Sequence, residues 1–245
     1  MKTREEKVSS ILLMVFVPVT IFYLCYLGIG SVWQKVPSLL LFFMIAVIVL
    51  FPAELGMILW QSKKEDGRYS LMTALVNQKK MKVWRTILYG MLLFAFAGLM
   101  SITIQPLENE LMSFASDKFT ALLPSYFDWT DMALLRQYPI ALLRLTCVGY
   151  FLMNVIVGPV VEELFFRGYL TAKLEKKGIW APVIVTVLFS LYHFWLPFNN
   201  LFRIAVFLPA SIVAWKKNNI YISMVFHCTC NLFSTISFFI LLFGH

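Results

Sequence analysis

Charge is what this sequence has least of. Asp, Glu, Lys and Arg make up 14% of its 245 residues, hydrophobic residues 60%, and the mean hydropathy is +0.78. Soluble domains rarely exceed about half apolar residues. The composition therefore excludes an ordinary water-soluble globule and points to an integral membrane protein whose main solvent is the bilayer. The net charge is +8. In a membrane protein such an excess marks topology, and no basic groove with interleaved aromatics accompanies it, so no nucleic-acid partner is expected.

Cysteine is sparse as well. Cys25, Cys147, Cys228 and Cys230 all lie in apolar segments. Cys228 and Cys230 are two apart and point in different directions on a helix. No disulfide framework and no Cys-x-x-Cys pair is present, so the thiols read as packing residues. Also lacking are internal repeats, low-complexity linkers, and an A-x-A-like cleavage site after the first apolar run. That run, about 20 residues, is too long for a signal-peptide core and is expected to be an uncleaved span. One membrane domain over 1–245 is the simplest organisation.

Long apolar runs are what the chain has in quantity. A helical span takes roughly 20 apolar residues. Seven segments qualify, at about 9–31, 38–60, 84–105, 139–166, 179–197, 201–215 and 219–243, the sixth being short. The expected fold is an all-α, polytopic transmembrane bundle. Lys and Arg number 15 on segments 1–8, 61–85, 168–178 and 216–217, against 4 on segments 31–37, 105–138 and 197–203. That bias predicts a cytoplasmic N-terminus and an outer C-terminus. The basic inner segment 61–85 has spaced apolar residues that suit the anionic inner leaflet. The outer segment 105–138 carries Glu108, Glu110, Asp117, Asp128 and Asp131. Within it Leu111, Phe114, Ala115, Leu122 and Leu123 have the spacing of an interfacial helix. For both segments the plain alternative is a solvated connector.

Against this background the stretch GPVVEELFFRGYL, residues 158–170, stands out. Insertion of one acidic residue at a helix centre costs roughly 2.5–3.5 kcal/mol, and such residues face a protein interior or a water cavity. Glu163 and Arg167 are i and i+4, in the favourable order, and can compensate each other. Glu162, rotated by about 100°, is left to face something else. Pro159 cannot donate to the residue four back, which predicts a kink or a restart of the helix there.

Candidate partners are few. His245 is terminal, whereas His193 and His227 lie in spans. Glu162 lies 15 residues before the turn at residue 177 and His193 lies 16 after it, so an antiparallel hairpin returns them to similar depth. Asn231 is one turn from His227 on the same face. One buried site holding Glu162, His193, His227 and Asn231 is geometrically consistent. Singly, a Glu–Arg pair is often a lock between helices and an intramembrane His often a packing residue.

A carboxylate can take a proton from water while an imidazole orients that water. Burial brings carboxyl and imidazole groups toward similar proton affinity. A second His and an Asn can donate to a developing oxyanion. Together these parts suit amide hydrolysis without a covalent intermediate. Two His and one Glu also make a catalytic zinc set, although His-Glu-x-x-His is absent; on spacing alone both chemistries stay open.

Three short patterns occur in order on three spans: Glu-Glu-x-x-x-Arg (Glu162, Glu163, Arg167), Phe-x-x-x-His (Phe189, His193) and His-x-x-x-Asn (His227, Asn231). In this the chain resembles the CPBP intramembrane proteases, which include CAAX prenyl-protein endopeptidases and bacterial relatives linked to bacteriocin processing and abortive infection. The resemblance covers about residues 139–235. It implies a glutamate-type endopeptidase with a peptide or protein substrate, no cofactor and no metal, in a bacterial cytoplasmic membrane. It implies Glu162 as general base, His193 as water-activating group, and His227 with Asn231 as the oxyanion site. Glu163 joins the catalytic set, and Arg167 and Phe189 support it. Two other classes compete: a non-enzymatic immunity or scaffolding protein that uses the pattern for packing, and a transporter or proton relay, against which the lack of repeated halves counts.

Overall fold

The computed structural model describes residues 8–75 and 78–244. Among the described residues seven helices of thirteen residues or more carry the chain, with a short α-helical turn at Met132–Leu135: α1 (Val8–Val32), α2 (Ser38–Asp66), α3 (Val83–Leu122), α4 (Ile140–Lys173), α5 (Trp180–Tyr192), α6 (Asn200–Lys217) and α7 (Tyr221–Phe243). Among the described residues there is no strand, as expected of a bundle that must pair its backbone groups within each helix in lipid. Each helix overlies one of the seven expected spans. Five of them, α1 to α4 and α7, are long and apolar enough to cross a membrane, so the protein is a multi-pass membrane protein. At 13 residues, α5 spans about 20 Å, short of the roughly 30 Å hydrocarbon core.

The outer segment begins differently from the sequence expectation. Residues 105–122 are not a connector or a separate interfacial helix: α3 runs unbroken through Pro106 to Leu122. Its 40 residues reach about 60 Å, twice the core thickness, so its end projects past the bilayer. α2 continues to Asp66 and stops at Gly67, whose φ of 73° is open to glycine at little cost. The 3₁₀ turn Leu71–Leu75 then docks under α4. A Cβ on Gly168 would lie 2.5 Å from the Ala74 carbonyl oxygen, so only glycine lets the two backbones approach this closely. This part of the inner segment is thus packed against protein. His245 and most of segment 1–8 lie outside the described residues.

The core is aromatic. Phe166, Phe189, Tyr192 and Phe226 are almost completely buried. Phe166 meets Phe189 and Tyr192 edge-on, with ring centroids 5.2 and 5.1 Å apart, the geometry aromatic quadrupoles favour. All four cysteines are free.

Pro159 neither breaks α4 nor restarts it. The helix widens instead, with π-type turns over Phe151–Val157 and Glu163–Leu170 on either side of the α-helical Gly158–Glu162. The Gly158 N–H donates to the Met153 carbonyl five residues back, and the Thr171 N–H to that of Phe166. A wide turn ahead of the proline accommodates its missing donor and its ring without a sharp kink. Such bulges recur at functional sites.

Candidate active site

Glu162 and Glu163 sit at the junction between the α-helical stretch and the second wide turn of α4. More residues per turn means a smaller angle between successive side chains than the 100° of an α-helix. Both carboxyls consequently reach one imidazole on α7. The Nδ1 of His227 lies 3.0 Å from Glu163 Oε1, and its Nε2 lies 3.7 Å from Glu162 Oε2. The two acids differ in access: the Glu162 side chain keeps 11% exposure and that of Glu163 has none. Glu162 is the one of the two carboxyls with any exposed surface.

Arg167 completes the charge balance. Its Nη1 is 3.2 Å from Glu163 Oε1, the i, i+4 pair the sequence predicts, maintained within the wide turn. Its Nε donates to Ser211 Oγ on α6 at 3.1 Å, and Ser211 in turn accepts from Thr186 Oγ1 on α5 at 2.8 Å. The guanidinium lies over the Phe189 ring at 4.2 Å and the Phe207 ring at 5.2 Å, so two ring faces add cation–π attraction in a desolvated setting. Arg167 therefore joins α4, α5 and α6.

Phe189 is the hub between the two histidines. Its ring centroid is 4.7 Å from that of His193 and 5.7 Å from that of His227. His193 is the first residue beyond α5, at φ −80° and ψ 67°; the expected span to 197 ends early. Residues 193–199 turn back toward α6, and the Arg203 guanidinium donates to the Ser190 carbonyl at the end of α5 and to the Leu196 carbonyl in the loop. His193 Nδ1 lies 2.7 Å from the Phe189 carbonyl. A carbonyl only accepts, so Nδ1 carries the proton and Nε2 of the neutral ring has a free lone pair. Ser190 is fully buried, and its hydroxyl donates to Asn200 Oδ1 at 2.9 Å.

Asn231, one turn along α7 from His227, faces the first wide turn of α4. Its Nδ2 donates to the Asn154 carbonyl at 2.8 Å, and Asn154 Nδ2 donates to Thr235 Oγ1 at 3.0 Å. The site thus divides into a bonded group, Arg167–Glu163–His227, with Glu162 facing His227 Nε2 at 3.7 Å, His193 attached through Phe189 and Asn231 through Asn154. In this arrangement His227 and Asn231 are not a pair of free donors, because both ring nitrogens of His227 face carboxyls. Among the described residues no group of three or more His, Cys, Asp or Glu side chains is arranged to hold a metal ion.

Three buried charged residues around this group escaped the sequence reading as members of the site. Glu54 on α2 accepts from the Tyr192 hydroxyl at 2.8 Å. Glu108 on α3, read as part of an outer connector, is buried and accepts from the backbone N–H groups of Leu201 and Phe202, each at 2.7 Å. It caps the positive end of α6 from another helix. Arg203 is the third. Glu54 was legible: it is an acid inside a 23-residue apolar run, the same signal that marked Glu162.

The comparisons fit this geometry. Residues 144–233, which include all three patterns, match the family described as type II CAAX prenyl endopeptidase Rce1-like. The motif-bearing segment is thus similar to that family. At family level the Rce1-like match is to membrane peptidases, and it falls within the expected 139–235. A further similarity is to the UPF0177 protein YxdF of Lactococcus lactis subsp. lactis (strain IL1403), 28% identical over 150 residues, 60% of this chain and 72% of that one. No solved structure matches the chain.

Proposed function

We propose that the protein is an intramembrane endopeptidase in which Glu162 takes a proton from water that attacks a peptide carbonyl. The observation that carries this reading is the His227 imidazole held between Glu163 at 3.0 Å and Glu162 at 3.7 Å, with only the Glu162 carboxyl retaining exposed surface. The Nδ1–H of His227 is committed to Glu163, so Nε2 is the nitrogen that exchanges a proton with Glu162. Water oxygen bonds the carbonyl carbon while its proton passes to Glu162. The tetrahedral adduct then collapses, the C–N bond breaks, and Glu162 returns the proton to the departing amine. His193 Nε2 accepts from the attacking water and orients it. Asn231, with one amide hydrogen engaged by Asn154, has the other for the developing oxyanion. Arg167 pairs with Glu163 at 3.2 Å and Phe189 spaces the two imidazoles.

Residues 139–235 form the catalytic core in this proposal, the substrate is a peptide or membrane protein, and the N-terminus is cytoplasmic. The 15-to-4 distribution of basic residues supports that orientation. The similarity to a Lactococcus lactis protein supports a bacterial cytoplasmic membrane.

Hydroxylamine tests the chemistry. Direct attack by water yields peptide products ending in free carboxylates, and added hydroxylamine leaves them unchanged. Hydroxamate-terminated products would reveal an acyl-enzyme and overturn the mechanism.

A further inference from the structure

Glu54 stands on α2, outside the Rce1-like segment, and is 1% exposed. Its Oε1 accepts from the hydroxyl of Tyr192, itself fully buried, at 2.8 Å. Tyr192 is the last residue of α5, and His193 follows it directly. The two rings touch, with centroids 5.2 Å apart. Tyr192 also packs edge-on against Phe166 of α4 and Trp195 of the loop, at 5.1 and 5.7 Å. Phe51, one turn before Glu54, lies beside Gly158, where an added Cβ would be 3.7 Å from its ring.

The position of His193 is under-determined by its own helix. It has left the helical ladder, and its one side-chain hydrogen bond is to Phe189 within the same turn. A helix end of this kind frays unless something outside holds it. Arg203 secures the carbonyls on one side. On the other side, the hydrogen bond from Tyr192 to Glu54 is the polar link between the end of α5 and α2. Glu54 is itself 1% exposed, so burial restricts the carboxyl that accepts this bond. An apolar residue at 54 would fill the space without fixing the angle of the Tyr192 ring against His193.

We infer that Glu54 is a positioning residue of the site, setting His193 against Glu162 through the Tyr192 hydroxyl. The inference rests on the peptidase reading for its catalytic consequence, and the region of the chain preceding the Rce1-like segment then contributes directly to the geometry of the reaction.

Four variants of the full-length protein in detergent test it: Glu54→Ala, Glu54→Gln, Tyr192→Phe, and the double variant Glu54→Ala/Tyr192→Phe. Glu54→Ala and Tyr192→Phe are each expected to lower kcat for a cleaved peptide about tenfold, with KM unchanged, because a misplaced reacting group is lost from the transition state and not from substrate binding. The double variant is expected to match either single one, since both remove the same bond. Glu54→Gln retains an acceptor for the hydroxyl and is expected to recover kcat to within about threefold of wild type. Wild-type kcat in Tyr192→Phe, or additive losses in the double variant, would overturn the proposal, as would Glu54→Gln falling as far as Glu54→Ala.

A second readout needs no substrate. Backbone hydrogen exchange over residues 190–200 is expected to quicken in Glu54→Ala and Tyr192→Phe but not in Glu54→Gln. Unchanged exchange in all variants overturns the positioning role even if the protein cleaves nothing. Quickened exchange in a protein without peptidase activity would instead refute the peptidase reading and leave the link standing.

Discussion

His227 donates through Nδ1 to Oε1 of Glu163 at 3.0 Å, one hydrogen bond joining α7 to α4 in the middle of the bundle. The bond fixes which imidazole nitrogen is free, and it turns that nitrogen toward Glu162. His227→Phe keeps a flat ring but removes both nitrogens. Peptide cleavage is expected to fall about 10²–10⁴-fold, the usual span for loss of a proton-transferring group. Steady-state kinetics on purified variant and wild type check this. A loss below threefold would mean that His227 only packs.

Arg167 and Glu163 form a buried pair at 3.2 Å. Removing one partner of such a pair strands the other charge, at a cost of about 3–5 kcal/mol. Arg167→Met is therefore expected to destabilise the protein by that order. Adding Glu163→Gln removes the stranded charge and is expected to restore most of the stability without restoring cleavage. Thermal unfolding in detergent compares the three.

Gly168 supports the docking of the 3₁₀ turn. Alanine there places a Cβ 2.5 Å from the Ala74 carbonyl oxygen, a backbone atom that cannot rotate away. Gly168→Ala is expected to cost about 1–3 kcal/mol, read as a lower melting temperature. Gly28 on α1 is the control, with nothing within 4 Å of its added Cβ. Gly28→Ala is expected to be neutral or slightly stabilising, as helix propensity favours alanine.

Glu108 supplies both oxygens to the first N–H groups of α6. Glu108→Ala exposes those donors and is expected to cost about 0.5–2 kcal/mol, the range for lost helix caps. Amide exchange at residues 201–203 is expected to speed up in the variant, measured by mass spectrometry.

Five helices were legible because apolar runs of membrane length leave one solution in lipid, whereas the expected spans under α5 and α6 form helices that are not long and apolar enough to cross. The Glu163–Arg167 pair was legible because i, i+4 spacing is local. What escaped is non-local or depends on departures from ideal helix. The approach of Glu162 and Glu163 to a single imidazole depends on the wide turns flanking Gly158–Glu162, and α-helical spacing places them about 100° apart. Ideal spacing likewise makes His193 a helical residue, whereas Arg203 and the turn at 193–199 draw it out of α5. Glu108 was hidden by its acidic neighbours, which resemble those of a loop, while α3 in fact continues to Leu122. His227 and Asn231 share a face as the spacing predicts, but their partners, Glu163 and Asn154, belong to α4 and are set by packing.

The most direct test is cleavage of a peptide library by the purified protein, with wild type beside Glu162→Gln, each with and without a chelator. The amide is close in shape to the acid and cannot accept the proton. Wild type is expected to cleave, with or without chelator, and Glu162→Gln to lose about 10²–10⁴-fold in rate at an unchanged melting temperature. Cleavage by Glu162→Gln at the wild-type rate would contradict Glu162 as the proton acceptor, and loss of wild-type cleavage on chelation would assign the glutamate and the histidines to a metal.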